Sequence, residues 1–219
     1  RRDIAGTGTQ TAALAFGGQS PNGDETEEYD GTSWSEQNDL PAPGYQMAAA
    51  GTQTAGLGFG GYKPGSPNGN NVTYKYDGTN WSVGNTLNTG RRDLGGFGIQ
   101  TAAVACGGQG PITNVTEEYN GSTWTNGNNM NVSRRNLAAA GTESAGLAFG
   151  GNNGTAPVAS SEEYDGTNWT TTPSIATARL QLGGAGTLAS GIAFGGGNPY
   201  SNATEEFTSA VTTRTVDVS

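Results

Sequence analysis

The chain has 219 residues, enough to bury a core, and this length favours one domain or one closed repeat array. Its 10 basic and 19 acidic residues give a formal net charge of −9, which argues against binding to nucleic acid phosphates or anionic lipid. It has no histidine and one cysteine, Cys106, which excludes a disulfide framework, a cysteine- or histidine-ligated zinc site and a histidine-based triad within the chain.

The composition also bears on membranes, export and order. No stretch approaches 18 consecutive apolar residues and no signal-like segment opens the chain, so neither membrane insertion nor the usual export route is expected. The first residue is Arg1 rather than methionine, which favours a part of a longer chain or larger assembly. Glycine occurs 38 times, as in many disordered linkers, but regular apolar and aromatic spacing favours a folded protein.

Five similar units follow one another, at 1–43, 44–90, 91–133, 134–178 and 179–219. Each contains an apolar stretch that ends in a glycine pair, and the second glycines are Gly18, Gly61, Gly108, Gly151 and Gly196. A run of small residues precedes each stretch, and an aromatic residue follows it, at Tyr29, Tyr76, Tyr119, Tyr164 and Phe207. Tryptophan stands five residues after each tyrosine, at Trp34, Trp81, Trp124 and Trp169.

Every unit predicts four short strands: the small-residue run, the apolar stretch, the strand that carries Glu-Glu-Tyr, and the tryptophan strand. Asp-Gly or Asn-Gly separates the last two in units 1 to 4, at Asp30, Asp77, Asn120 and Asp165, and predicts tight hairpins because both residue types tolerate positive φ. In unit 5, Thr212 stands at the tryptophan position. Cys106 stands where other units have phenylalanine, so it is expected to be a small buried hydrophobe.

A period of about 40 to 50 residues with four strands per period is the signature of a β-propeller. The sequence therefore predicts an all-β fold, a five-bladed β-propeller with four antiparallel strands per blade. Small residues in the first strand suit the crowded axis, where alanine and glycine let backbones approach. A closed ring is expected, with the chain ends adjacent between blades 5 and 1, because an exposed terminal blade would be costly.

Gly-Gly after an apolar strand, then Tyr, then Trp after a short turn, resembles the kelch repeat over the whole chain, in units shorter than the roughly 50 residues typical of kelch. The Gly-, Thr- and Asn-rich composition also resembles kelch-like segments in tail and other structural proteins of marine bacteriophages. That resemblance implies a place on a virion or an extracellular surface. Copper chemistry in the kelch family uses histidine ligands, which this chain lacks, so neither a metal nor another cofactor is expected.

Arginines that open the first strand are expected to pair with glutamates of the third strand. The arginines are Arg1, Arg91, Arg134 and Arg179, and the glutamates are Glu27, Glu28, Glu117, Glu118, Glu162, Glu163, Glu205 and Glu206. In unit 2 both partners are replaced together, by Gly44-Tyr45 and Tyr74-Lys75. This joint loss predicts structural ion pairs rather than catalytic carboxylates, and adjacent strand residues also point to opposite faces.

Unit 2 also has the longest loop between its glycine pair and its third strand, YKPGSPNGNNVT. That loop is expected on the same face as the strand-opening arginines, and repeat proteins often bind through the variable face. We hypothesise that Tyr45, Tyr62, Lys63, Tyr74 and Lys75 form a recognition patch for a glycan or a protein surface. The alternative is sequence drift in one tolerant blade.

Two functions remain open at this point. The first is a noncatalytic recognition or structural module, and the alternative is a glycan-acting hydrolase of propeller fold. The hydrolase would require carboxylates or arginines outside the repeat pattern that converge on the axis, and no such set is evident. The sequence therefore predicts a protein that is not an enzyme.

Overall fold

The computed structural model describes residues 1–19, 21–63, 65–66, 68–197 and 200–208. These residues form nineteen strands joined by turns, and no helix occurs among them. Accordingly, the described part of the chain contains no helix that could cross a membrane.

The strands follow the five units. Blade 1 has β1 (Ala5–Thr9), β2 (Ala12–Phe16), β3 (Thr26–Tyr29) and β4 (Trp34–Gln37). Blade 2 has β5 (Ala48–Thr52), β6 (Ala55–Phe59), β7 (Thr73–Tyr76) and β8 (Trp81–Val83). Blade 3 has β9 (Gly95–Ile99), β10 (Ala102–Cys106), β11 (Thr116–Tyr119) and β12 (Trp124–Asn126). Blade 4 has β13 (Ala138–Thr142), β14 (Ala145–Phe149), β15 (Ser161–Tyr164) and β16 (Trp169–Thr172), and blade 5 has β17 (Gly183–Thr187), β18 (Ser190–Phe194) and β19 (Thr204–Phe207).

Each sheet is a simple antiparallel meander in which the strands pair in chain order. The all-β, five-bladed β-propeller with four-stranded blades is thereby confirmed. The predicted fourth strand of blade 5, at Thr212, lies outside the described residues. The first strands of all five blades surround an axial cavity of about 520 Å³, so the small-residue runs are the innermost strands, as expected.

The hairpins between third and fourth strands form where Asp-Gly and Asn-Gly predict them, but the aspartate acts differently from expectation. Gly31 has a φ of 93°, whereas Asp30 is not among the residues with positive φ. The Asp30 carboxylate instead accepts hydrogen bonds from the backbone N–H groups of Thr32 and Ser33, each at 2.8 Å. These donors, that of Ser33 foremost, lower the pKa of Asp30.

The glycine pairs connect each blade to the next. Gly17 and Gly18 have φ values of 65° and 104°, and a Cβ on Gly17 would lie 2.3 Å from the carbonyl oxygen of Gly44. The N–H of Gly18 donates to that same carbonyl, which belongs to the first residue of unit 2, at 2.9 Å. The equivalent bond joins blades 2 to 3, 3 to 4 and 4 to 5, with lengths of 2.8–2.9 Å.

The hydrophobic core lies between the blades, and tryptophan is its main contributor. Trp124 of blade 3 packs against Phe59 of blade 2, with ring centroids 4.9 Å apart. Its indole N–H donates to Thr73 Oγ1, also in blade 2, at 2.9 Å. Trp81 and Trp169 make the same hydrogen bond to the preceding blade. The tryptophan strand therefore attaches each blade to the one before it.

Among the described residues, blades 5 and 1 do not make the predicted closure. Each innermost strand packs along the next from β1 to β17, but β17 and β1 have no comparable contact. Trp34 is 52% exposed and Phe194 is 45% exposed, although both occupy positions that are buried in blades 2 to 4. The rotation from blade to blade is set by the packing at each junction, which the spacing of a repeat does not specify.

Candidate recognition face

One end of the propeller carries the variable loops, the glycine pairs and the starts of the innermost strands. Around the axis at this end lies a ring of one polar residue per blade, the axial ring, which consists of Asp3, Gln46, Asp93, Asn136 and Gln181. Beneath it the side chains of Ile4, Met47, Leu94, Leu137 and Leu182 form an apolar floor. The resulting depression has a volume of about 310 Å³.

All five axial-ring residues have φ between 52° and 57°, and they are the only residues other than glycine with positive φ in the described chain. The conformation allows a backbone relay: Gln46 N–H donates to the Asp3 carbonyl, and the same bond repeats to Asp93, Asn136 and Gln181 at 2.8–3.1 Å. Left-handed φ at non-glycine residues is uncommon and often accompanies function. The relay turns each side chain of the ring to the same end of the axis.

Charges within the axial ring are coupled. The Asn136 side-chain amide donates to Asp93 Oδ1 at 2.8 Å. Burial raises the pKa of the Asp93 carboxyl and nearby Asp3 adds to the rise, whereas the Arg92 cation lowers it. The ring therefore offers carboxylate and amide oxygens together with amide N–H donors.

Pairs of bridged residues surround the axial ring, and the pair in blade 2 is aromatic. Tyr45 and Tyr62 exchange two backbone hydrogen bonds, at 3.1 and 2.7 Å, and their rings lie 4.9 Å apart. Arg92 of blade 3 lies over the Tyr62 ring, with its guanidinium carbon 5.2 Å from the centroid. In the neighbouring pairs, Arg135 of blade 4 donates to Gln109 of blade 3. The rim is therefore a run of aromatic and cationic groups across three blades.

The structure brings only part of the predicted patch together. Lys63 is exposed and follows Tyr62 directly on this face. Tyr74 is 5% exposed and packs in the core between blades 1 and 2, in the position that glutamate fills in other blades. Lys75 is half-buried and donates to the Gly121 carbonyl of blade 3 at 3.2 Å, at the opposite end of the blade. Tyr74 and Lys75 are thus parts of the framework rather than of this face.

The predicted ion pairs use the first glutamate of each pair. Arg91 lies 2.5 Å from Glu117, and both side chains are fully buried. Arg134 and Glu162 are equally buried, at 3.0 Å. Arg179 lies 2.6 Å from Glu205, and Arg1 contacts Glu27 in a more exposed pair. Burial lowers the pKa of Arg91 and Arg134, and the adjacent carboxylate opposes that shift.

The second glutamates take no part in ion pairs among the described residues, which corrects the expectation for Glu28, Glu118, Glu163 and Glu206. They lie on the other face of the strand because side chains alternate. Glu28 accepts a hydrogen bond from the Tyr76 hydroxyl of the next blade at 2.9 Å, and Glu118 accepts one from Tyr164. Glu163 accepts from Thr172 within its own sheet.

Sequence reasoning missed the axial ring and Arg92. A signal was present, because the third residue of every unit is Asp, Asn or Gln, just before an apolar residue. Only the fold shows that these five positions meet at one point. Carboxylates, amides and an aromatic rim can hydrogen-bond and stack on a polar ligand.

No group of three or more candidate His, Cys, Asp or Glu ligands occurs in the part of the chain that the structure describes. Neither a protein-family model nor a curated protein matches this chain.

Proposed function

We propose that the chain is a noncatalytic recognition module whose partner, a glycan or a protein surface, binds at the axial ring and at the rim formed by Tyr45, Tyr62 and Arg92. One observation carries this proposal: the only aromatic pair of the described rim stands beside a polar depression whose backbone is held in an uncommon conformation. A tyrosine ring supplies a flat apolar face and a hydroxyl, and the axial ring supplies hydrogen-bonding groups next to it.

The size of the depression favours a glycan over a protein surface as the partner. Small-molecule sites have volumes of about 300–1,000 Å³, and the axial depression has about 310 Å³. The apolar floor below polar side chains suits a sugar ring, which has apolar C–H faces and polar edges. Lys63, exposed beside Tyr62, extends the rim and suits an acidic substituent.

A glycan array with the purified chain tests this proposal. Tyr62→Ala is expected to weaken binding of the preferred glycan by about tenfold or more, equivalent to about 1.4 kcal/mol. Tyr29→Ala is the matched control, because this tyrosine is partly exposed and ends β3 beside the Asp30 hairpin, at the opposite end of its blade from the proposed site. Equal binding by both variants, each folded by circular dichroism, contradicts the site.

The hydrolase alternative rests on one feature, the carboxylates of Asp3 and Asp93 at the axis, with the pKa of Asp93 raised by burial. The glutamate pairs do not favour it, because they are committed to Arg91, Arg134 and Arg179 or to neighbouring hydroxyls. Turnover of array-positive glycans that disappears in Asp93→Asn would establish hydrolysis and replace the recognition proposal.

The kelch assignment and the biological setting belong to the same proposal. Residues that carry the kelch resemblance have structural roles here: Gly17 and Gly18 at the blade corner, and Trp81, Trp124 and Trp169 between blades. The likeness to bacteriophage structural proteins, and the virion or extracellular location it implies, rests on composition and stays a prediction.

A further inference from the structure

Blade 1 and blade 5 each expose one half of the interface that joins all other blades. On blade 1, Ile4 is 49% and Trp34 is 52% exposed, whereas the equivalent Leu94 and Trp124 of blade 3 are 7% and 5% exposed. On blade 5, Phe194 is 45% exposed, whereas Phe59 in blade 2 is fully buried. The two faces are different and complementary, as in a head-to-tail contact.

Hydrogen-bonding groups on these faces are also unused. At the four junctions where neighbouring blades pack together, the backbone N–H of the second glycine donates to the carbonyl of the first residue of the next unit. At three of them the tryptophan indole N–H also donates to a threonine hydroxyl of the preceding blade. No such bond is made by Gly196 or Trp34 within the described chain. Nor does the Asp3 N–H continue the axial relay by donating to the Gln181 carbonyl.

The geometry of the four made junctions indicates why the fifth is open. The same relay bond recurs at each of these junctions, at 3.0, 3.1, 2.8 and 2.9 Å, so the four junctions are built alike. All five innermost strands line one cavity with the same residues of each strand, which places blades 1 and 5 at the same height. Four equal steps of one fifth of a turn would bring blade 5 against blade 1. Because β17 and β1 have no comparable contact among the described residues, the five blades together cover less than a full turn and leave a gap.

We propose that a further four-stranded unit of this same repeat occupies the gap between blade 5 and blade 1. One face of the added unit presents tryptophan and tyrosine to blade 5, where Phe194, Thr204 and Glu206 would receive them. Its other face presents an apolar side chain, a serine or threonine hydroxyl and a glutamate to Trp34 and Tyr29. Continuity with the four existing junctions specifies this occupant, because every contact has a counterpart already made elsewhere in the ring.

The proposal does not depend on what the axial face binds. Its probe is a thiol introduced by Phe194→Cys, at the repeat position that Cys106 occupies in blade 3. Cys106 is the internal control, since it is fully buried in a made junction and burial raises the pKa of its thiol to about 12. In the folded 219-residue chain, a maleimide is expected to label the introduced thiol and to leave Cys106 unmodified.

The added unit is supplied by fusing a copy of residues 134–178 directly in front of Arg1, which preserves the repeat spacing. In this fusion, labelling of the introduced thiol is expected to slow by about tenfold or more, because opening of a packed junction becomes necessary. A control fusion with Trp169→Ala in the added copy alone should lose much of this protection. As a second readout, acrylamide should quench the fluorescence of Trp34 less in the fusion than in the unextended chain. The Trp34 contribution is obtained by subtracting the fluorescence of the Trp34→Phe variant of each protein.

Three results would overturn the proposal. Slow labelling of the introduced thiol in the monomeric, unextended chain would show that blade 1 closes directly on blade 5. Protection that appears only with increasing concentration, together with a dimeric mass, would assign the faces to a second copy. Unchanged labelling and unchanged quenching in the fusion would show that no unit of this repeat fits.

Discussion

Trp124 and Trp34 occupy the same position in two units that share the repeat pattern, yet one is 5% and the other 52% exposed. Trp124 packs against blade 2, where Phe59 contacts its ring and the Thr73 hydroxyl accepts a hydrogen bond from its indole N–H. Among the described residues, the only aromatic ring in contact with Trp34 is that of Tyr29 in its own blade, at 5.2 Å. The comparison shows that a blade gains its stability mainly from its neighbour, as expected where each repeat contacts only adjacent repeats.

The largest expected difference concerns the buried ion pair. Glu162→Ala leaves the Arg134 guanidinium buried without its carboxylate, so the free energy of unfolding should fall by about 3–5 kcal/mol. In blade 1 the corresponding side chains, Arg1 and Glu27, are 15% and 37% exposed. Glu27→Ala should therefore cost about 1 kcal/mol or less. Urea denaturation measures both, and equal losses would mean that burial does not distinguish the pairs.

Replacing tryptophan by alanine should likewise lower the free energy of unfolding more at a packed junction than at the open face of blade 1. Trp124→Ala removes a buried ring and its hydrogen bond, so a loss of about 3–5 kcal/mol is expected. Trp34→Ala removes a half-exposed ring with one aromatic neighbour, so about 1 kcal/mol or less is expected. Thermal unfolding of both variants checks the ranking, and a larger loss for Trp34→Ala would reverse the comparison.

The buried Cys106 thiol, which lies at a packed junction, should make the free energy of unfolding depend on alkaline pH. Burial raises the pKa of this thiol from 9.0 to about 12, so the unfolded chain ionises first. Ionisation of the thiol does not affect stability below pH 9. As the pH rises from 9 toward 12 the unfolded chain ionises first, so the free energy of unfolding falls, by about 1 kcal/mol at pH 10. Cys106→Val lacks this titration, so the stability difference between the two proteins should shift by that amount between pH 7 and 10. A constant difference would contradict burial of the thiol.

The smallest expected effect is that of one hydroxyl. Tyr76 donates to Glu28 of the preceding blade at 2.9 Å, so Tyr76→Phe should lower the free energy of unfolding by about 1 kcal/mol. The equivalent Tyr29 has no such acceptor among the described residues, and Tyr29→Phe should be nearly neutral. If the two variants have the same midpoint in urea, the hydroxyl bond contributes nothing to the junction.

Local features were predicted well because neighbouring residues decide them. Asp30-Gly31 marks a hairpin through a backbone turn that those residues make on their own, although the aspartate acts as an acceptor rather than through positive φ. The joint loss of Arg and Glu in unit 2 identified the ion pairs. It did not identify which glutamate pairs, since that depends on which face of the strand meets the arginine.

The recognition face was predicted less well, for a related reason. Tyr45 and Tyr62 were found because tyrosine is scarce outside the repeated motif, and the fold brings them together. Tyr74 was wrongly grouped with them, because the scarcity of tyrosine does not distinguish a strand residue from a loop residue. The sheet shows that the Tyr74 side chain is buried in the core. Arg92 reaches Tyr62 across a blade boundary that sequence spacing does not reveal.

The sequence by itself determined the repeat, the four strands of each blade and the residues that lie between blades, because these follow from local turn chemistry and from strand alternation. Only the tertiary structure decided where five separate Asp, Asn and Gln residues meet, and whether the ring closes. Both depend on the angle between packed sheets, which is the sum of many side-chain contacts. Trp34 and Phe194 stay half-exposed because the innermost strands of blades 1 and 5 do not pack together among the described residues.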